Sequence, residues 1–177
     1  MELYREAAEA CFFGKYKRGC LEALKEMIEL AMFAHDIYFL KRFYFILGLI
    51  LMSFKDIRAA GTAFKRLRDV ATVDQDFEVK MYAYKQLGIC YQNVKEYEKS
   101  IVCFKKLLHL AWLMENIEYE MMSYDYLAIQ YFYIGRLDRS KFYNDRMVRG
   151  KSESKASSIR NFGMKNFSEE AAFIREA

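Results

Sequence analysis

The chain is expected to be all-α, an array of about four helical hairpins closed by one further helix, and three observations predict it. The first is a register. Tyr4, Tyr44, Tyr84 and Tyr124 stand forty residues apart, followed three residues on by Ala7, Leu47, Leu87 and Leu127 and then by Ala8, Gly48, Gly88 and Ala128. Tyrosine is 14 of 177 residues, so three chance matches at one preset offset have odds of roughly one in two thousand. The match extends to Cys20, Ala60, Ser100 and Ser140, to Leu24, Phe64 and Phe104, and to Leu30, Val70 and Leu110, each followed by alanine. The second observation is spacing: inside each unit the apolar residues recur every three or four positions, the period of a helix and not of a strand. The third is the absence of proline from all 177 residues, which permits long unbroken helices.

The units follow in order. The first, residues 1–40, is the most divergent, with Lys17 where Ile57, Tyr97 and Leu137 stand, so its turn is read as offset by one with Tyr16 packing. The second, 41–80, holds the most hydrophobic run, residues 43–54. That run is about half of the roughly 20 residues a membrane span needs, and it lies in register with the other units, so a buried helix is expected. The second unit turns at SFKD, residues 53–56. In the third, 81–120, Tyr84, Leu87, Gly88 and Tyr91 form one stripe and Tyr97, Ser100, Ile101, Phe104, Leu107, Leu108 and Ala111 another. The QNVKE between them is long enough only for an antiparallel hairpin turn. The fourth, 121–149, turns at YIGR through Gly135. Beyond it the register is lost at Gly150, and residues 150–157 read as a polar linker. Met164, Phe167, Ser168 and Ala171 then fall where a fifth unit would have core residues, so 158–177 is expected to be a capping helix, as terminal repeats require. Met1 begins almost inside the first helix without an N-cap, which leaves an extension of the array open.

The small residues at the eighth and twentieth positions of each unit give the packing its logic. Two helices approach to about 8 Å only where the crossing side chains are small, and the large residues at the fourth, seventh, eleventh and twenty-fourth positions fill the space around that crossing.

Little in the sequence points to chemistry. The four cysteines (Cys11, Cys20, Cys90 and Cys103) form no CxxC pair and are read as reduced structural thiols of an intracellular protein. The two histidines, His35 and His109, lack a second ligand at helical spacing, so no metal is expected. No phosphate loop, nucleophile elbow or HExxH occurs. No catalytic residue and no cofactor is expected.

Tyr84-x-x-Leu87-Gly88-x-x-Tyr91 followed by Ser100, Phe104 and Leu107 resembles the tetratricopeptide repeat (TPR), as do Tyr44, Leu47, Gly48 and Leu51 with Ala60, Phe64 and Leu67, and Tyr124, Leu127, Ala128 and Tyr131 with Ser140. The resemblance implies a right-handed α-solenoid. The common unit has about 34 residues; the longer unit here, with a Leu-Ala phrase leading to Asp36, Asp76 or Asn116, resembles the extended repeats of kinesin light chain and the spindle-orientation adaptors.

What the resemblance implies is recognition by a concave groove lined by first helices. In that register Phe45, Ile46 and Leu49 of the second unit, Tyr82, Lys85 and Ile89 of the third, and Tyr126, Ile129 and Tyr133 of the fourth are the candidate partner contacts. Asp125 and Phe132 share the same face. The ninth positions are Glu9, Leu49, Ile89 and Ile129, so the polar clamp of chaperone-binding TPR domains is absent, and a helix or apolar peptide is the expected ligand. The competing reading has Phe45, Ile46 and Leu49 buried against a neighbouring helix.

Charge is uneven: residues 136–165 carry nine Lys/Arg and three acids, a net of +6 within a total of +4. Arg146, Arg149, Lys151, Lys155 and Arg160 form a candidate basic patch for an acidic partner segment, with a solvated surface as the plainer reading. Other proteins are the expected partners, within a larger cytoplasmic assembly. The family resemblance points to a cytoskeletal, motor or ciliary one. Nucleic acid is disfavoured because no basic stripe with interleaved aromatics lines the groove. The rival readings are a basic ribonucleoprotein component and a self-associating structural module. No membrane segment is expected.

Overall fold

A computed structural model describes residues 17–154. The candidate first hairpin's opening helix, the linker beyond Ser154 and the expected capping helix at 158–177 lie outside the described residues. Among those described there are seven α-helices and no strand: α1 Lys17–Phe33, α2 Ile37–Ser53, α3 Ile57–Val73, α4 Phe77–Asn93, α5 Tyr97–Leu113, α6 Ile117–Tyr133 and α7 Leu137–Ser154. The chain divides into two compact units, one ending at Val94 and the other beginning at Lys95, so the boundary falls inside the third expected repeat. In the first unit α1 packs on α2, α2 on α3 and α3 on α4; in the second α5 packs on α6 and α6 on α7.

The forty-residue register resolves into helices of nearly one length. The first six are 17 residues long, separated by three-residue turns, so the backbone repeats every twenty residues. The midpoint of each turn is left-handed: His35, Lys55, Gln75, Lys95, Glu115 and Gly135 all have φ between 50° and 75°. Around it the chain closes a Schellman motif. At the first turn the Asp36 amide donates to Ala31 O at 3.0 Å and the His35 amide to Met32 O at 3.2 Å. The same pair of bonds recurs around Lys55, Gln75, Glu115 and Gly135.

The third residue of each turn also begins the next helix. The side chains of Asp36, Asp56, Asp76 and Asn116 accept from Phe39, Ala59, Val79 and Tyr119 amides at 3.1, 3.4, 3.0 and 3.0 Å. One residue thus satisfies a carbonyl left over from one helix and an amide left over from the next. Glu96 makes no such side-chain bond, and Arg136, a guanidinium with no acceptor, has none to make.

The expected crossings are present within each unit. Gly48 faces the ring of Phe64, and a Cβ at position 48 would come within 2.5 Å of it. Ser140 Oγ donates to Ala128 O at 2.8 Å, joining a twentieth to an eighth position. Phe64, Leu67, Phe104, Leu107 and Leu127 are fully buried. The register tyrosines do packing work of varied depth. Tyr124 is buried and donates to Glu120 Oε1 at 2.9 Å, the oxygen that also accepts from Trp112 Nε1 at 3.1 Å. Tyr84 is half-buried under the Arg68 guanidinium.

The expected linker at 150–157 is corrected over its first five residues: α7 continues through Gly150 to Ser154. Gly150 does not end the helix. It is a contact point, where a Cβ would lie 2.3 Å from Met121 Sδ.

Candidate functional site

The proposed contacts divide between the two units. In the first, Phe45 on α2 and Tyr82 on α4 meet ring to ring at 4.8 Å, and Tyr82 also stands edge-on to Phe64 at 6.5 Å. The Lys85 ammonium lies 5.5 Å from the Tyr82 ring centre. Phe45, Tyr82 and Lys85 are therefore one cluster, each half-buried. Leu49 is 36% exposed and Ile89 half-buried. Ile46 behaves differently: it packs on the core formed by Cys20, Leu24, Met27 and Ile50. Its place one residue after Phe45 turns it about 100° around α2, back toward the preceding helix. Ile46 is thus committed to the core, whereas Leu49 lies at the surface.

A charge cluster that the sequence reading did not single out secures the same helices. The Lys41 ammonium on α2 is hydrogen-bonded to Oδ2 of both Asp74 and Asp76, in the turn before α4. Burial pushes the Asp76 carboxyl upward, but the Lys41 hydrogen bond and the Val79 amide outweigh it, and the net shift is downward from the usual carboxylate value. The hydrogen bonds that the Lys41 ammonium donates to Asp74 and Asp76 hold it above its ordinary range. These residues lie thirty-three and thirty-five positions apart, so only the repeat geometry could have paired them.

In the second unit Tyr126 stacks on Phe104 with ring centres 4.5 Å apart, and Tyr133 stacks on Tyr97 at 5.0 Å. Burial, with the charge of Asp125, raises the Tyr126 phenol. Ile129 and Tyr133 lie on the wall of an open cleft of about 560 Å³ between α6 and α7. Phe132, Tyr133 and Leu137 on its rim are 61%, 55% and 61% exposed, and Asp125, Lys141 and Asn144 add polar groups. Sequence reasoning placed Asp125 and Phe132 on this face but missed the α7 side. The available signal was repeat equivalence, since Leu137, Ser140, Lys141 and Asn144 stand two units on from Ile57, Ala60, Gly61 and Phe64.

Of the basic patch, Arg146 is half-buried with its guanidinium 5.3 Å over Phe142, and Arg149 is exposed. Lys151 lies within α7, while Lys155 and Arg160 fall outside the described residues. Among the described residues no group of three or more His, Cys, Asp or Glu could hold a metal ion, and no helix is long and apolar enough to cross a membrane. Cys20, Cys90 and Cys103 are buried thiols, none of them in a disulfide among the described residues.

No protein-family model and no curated protein matches the chain. Solved structures do. The Signal Transduction ATPase with Numerous Domains protein from Pyrococcus horikoshii, which has a tetratricopeptide repeat sensor, superposes with a TM-score of 0.74 at 19% identity over 84% of this chain. The match spans 23% of that protein, so the chain corresponds to about a quarter of its length. MamA superposes with a TM-score of 0.65 at 22% identity, over 89% of this chain and 81% of MamA. The nearly identical TPR-like repeats of a Podosopora anserina protein described as a kinesin light chain give 0.68 at 11% identity, over 99% of this chain and 91% of that one. At these identities the likeness concerns architecture, and with the paired helices, small-residue crossings and repeated turns it identifies the chain as an all-α helical repeat of the TPR fold.

Proposed function

We propose that the protein is a non-catalytic interaction module whose first helices bind a helix or an apolar extended segment of another protein. The observation that carries this reading is the incomplete burial of apolar and aromatic side chains on those helices, with Leu49 and Tyr133 the most open of the candidate contacts. Rigid helices that present such residues offer contact area at small entropic cost. In the first unit the contact set is Leu49, Tyr82, Lys85 and Ile89, with Phe45 supporting Tyr82; in the second it is Tyr126, Ile129 and Tyr133. Ile46 is left out because it serves the core. Arg146 and Arg149, with Lys151, Lys155 and Arg160, supply a basic stretch for an acidic segment of the partner. The extended forty-residue unit supports a place in a cytoskeletal, motor or ciliary assembly of the cytoplasm, as a subunit without nucleic-acid or membrane contact.

The test is site-specific photo-crosslinking in cells that express the protein. A photoreactive residue at Leu49 or Ile89 should capture a discrete partner band, and one at the exposed Thr62 or His109 of the second helices should not. Equal capture from both sets, or none from Leu49 and Ile89, contradicts the reading.

A further inference from the structure

Charge sets α6 apart from the first helix of the other unit. Glu118, Met122, Asp125, Ile129 and Phe132 recur along α6 at intervals of four and three, so they form one stripe, and Tyr124, Leu127 and Tyr131 on the far side are buried. Glu118, Asp125 and Phe132 are exposed, with Met122 and Ile129 half-buried. No Lys or Arg stands between Lys106 and Arg136, whereas that stretch holds Glu115, Glu118, Glu120 and Asp125. Glu120 accepts from Trp112 and Tyr124, and Glu118 lies in the first turn, where a carboxylate suits the helix dipole. Asp125 stands mid-helix, too far along for that role, and no ion pair joins it to another described residue. The equivalent stripe of α2 is Tyr38, Arg42, Phe45, Leu49 and Met52, and α2 contains no acid. The acidity of α6 is therefore not a property of the repeat.

The stripe changes character along its length. Glu118 and Asp125 occupy its first half, while Ile129 and Phe132 end it in the α6–α7 cleft, whose rim adds Tyr133 and Leu137. Along the helix axis Asp125 lies about 10 Å from Phe132, and Glu118 about 20 Å. Lys141 lines the cleft from the α7 wall; Arg146, over Phe142, stands about 140° around α7 from it. A cation of a ligand therefore seats over α6 and not over α7. We propose that this face of α6 binds a cationic segment of a partner protein, with an apolar side chain of the segment in the cleft and Lys or Arg residues over Asp125 and Glu118. Such binding presupposes the partner reading above and supplies the chemistry of the second unit's ligand. The chain as a whole carries +4, so a basic segment gains at this face what the rest of the protein's charge opposes. In a helical segment the anchor and the two cations recur seven residues apart, which keeps all three on one side.

Fluorescence anisotropy on the full chain tests it with two labelled helical peptides. Both carry leucine at one position; about seven and fourteen residues on, one has lysines and the other glutamates. The lysine peptide should bind at least about tenfold more tightly, and raising the salt from about 50 to 200 mM should weaken it. Glu118→Lys/Asp125→Lys should abolish or reverse the preference, and Phe132→Ser should weaken the lysine peptide by about three- to tenfold. Asp69→Lys/Glu98→Lys, at exposed acids of the second helices, should leave its affinity within about twofold. Every substituted position is exposed, and matched helical content and unfolding midpoint check the fold. Equal affinity for the two peptides overturns the proposal, as does a preference that survives the reversal at 118 and 125. Displacement of the peptide as protein concentration rises would mean that a second copy holds this face, and overturns it too. None of these outcomes touches crosslinking at Leu49 and Ile89, which lie in the first unit.

Discussion

Asp76 carries three tasks with one side chain and one amide. Its amide closes the end of α3 on Ala71 O, and its carboxylate caps α4 and pairs with Lys41. Asp76→Asn keeps an acceptor for the cap while removing the charge, whereas Asp76→Ala loses both. Urea unfolding at neutral pH should therefore rank wild type, Asn and Ala in falling order, with the cap alone worth about 0.5–2 kcal/mol. The pH dependence follows from the signs. The carboxyl is held below its ordinary value in the folded state, so its contribution is present above the unfolded pKa of about 3.9 and is lost as pH falls through the folded one. The Lys41 ammonium is held above its ordinary value, so its contribution persists until pH rises past about 10.4. The stability gap between wild type and Asp76→Asn should be widest between those limits and should close in acid. A gap that stays constant down to about pH 2 would show that the pair contributes nothing. Gly48 gives a second residue-level prediction. Gly48→Ala drives a methyl group into the fully buried Phe64 ring and should cost about 1–3 kcal/mol, read by the same unfolding measurement.

At the scale of the element, the turn sets the helix length. A left-handed residue ends each of the first six helices after 17 residues, and at four of the six turns a capping Asp or Asn follows it and starts the next helix at once. The turn segments themselves were legible in the sequence, at SFKD, QNVKE and YIGR, but their left-handed midpoints were not, because five of the six are His, Lys, Gln, Lys and Glu, which carry no turn signal of their own. Gly135 alone was readable. The Asp36, Asp76 and Asn116 endings were visible as part of the forty-residue phrase, but their double role needed the backbone. Gly150 misled for the opposite reason: glycine reads as a stop, and here it admits Met121 to the surface of a continuing helix. The energetics of the turn can be checked directly. Gln75→Gly should relieve the left-handed backbone and raise stability by about 0.5–1 kcal/mol, and Gly135→Ala should lower it by a similar amount. Opposite signs in thermal unfolding would refute the role assigned to these positions.

For the whole molecule, the register made the fold readable but not the exposure of the candidate contacts. A repeat position fixes which face a side chain occupies, but not whether a neighbour covers it. Phe45 and Ile46 show this, one resting on Tyr82 and the other drawn into the α1–α2 core. The cleft between α6 and α7 was hidden because half of its wall comes from a second helix, whose positions the register does not assign to the partner face. On the proposed reading, specificity rests on departures from the repeat, with Leu49 and Ile89 where a clamp would be polar. The most direct test of recognition by the first helices is quantitative affinity capture with wild type and a Leu49→Glu/Ile89→Glu variant, the two first matched in helical content and unfolding midpoint. The account predicts that specific partners are lost from the variant, and an unchanged partner set would contradict it.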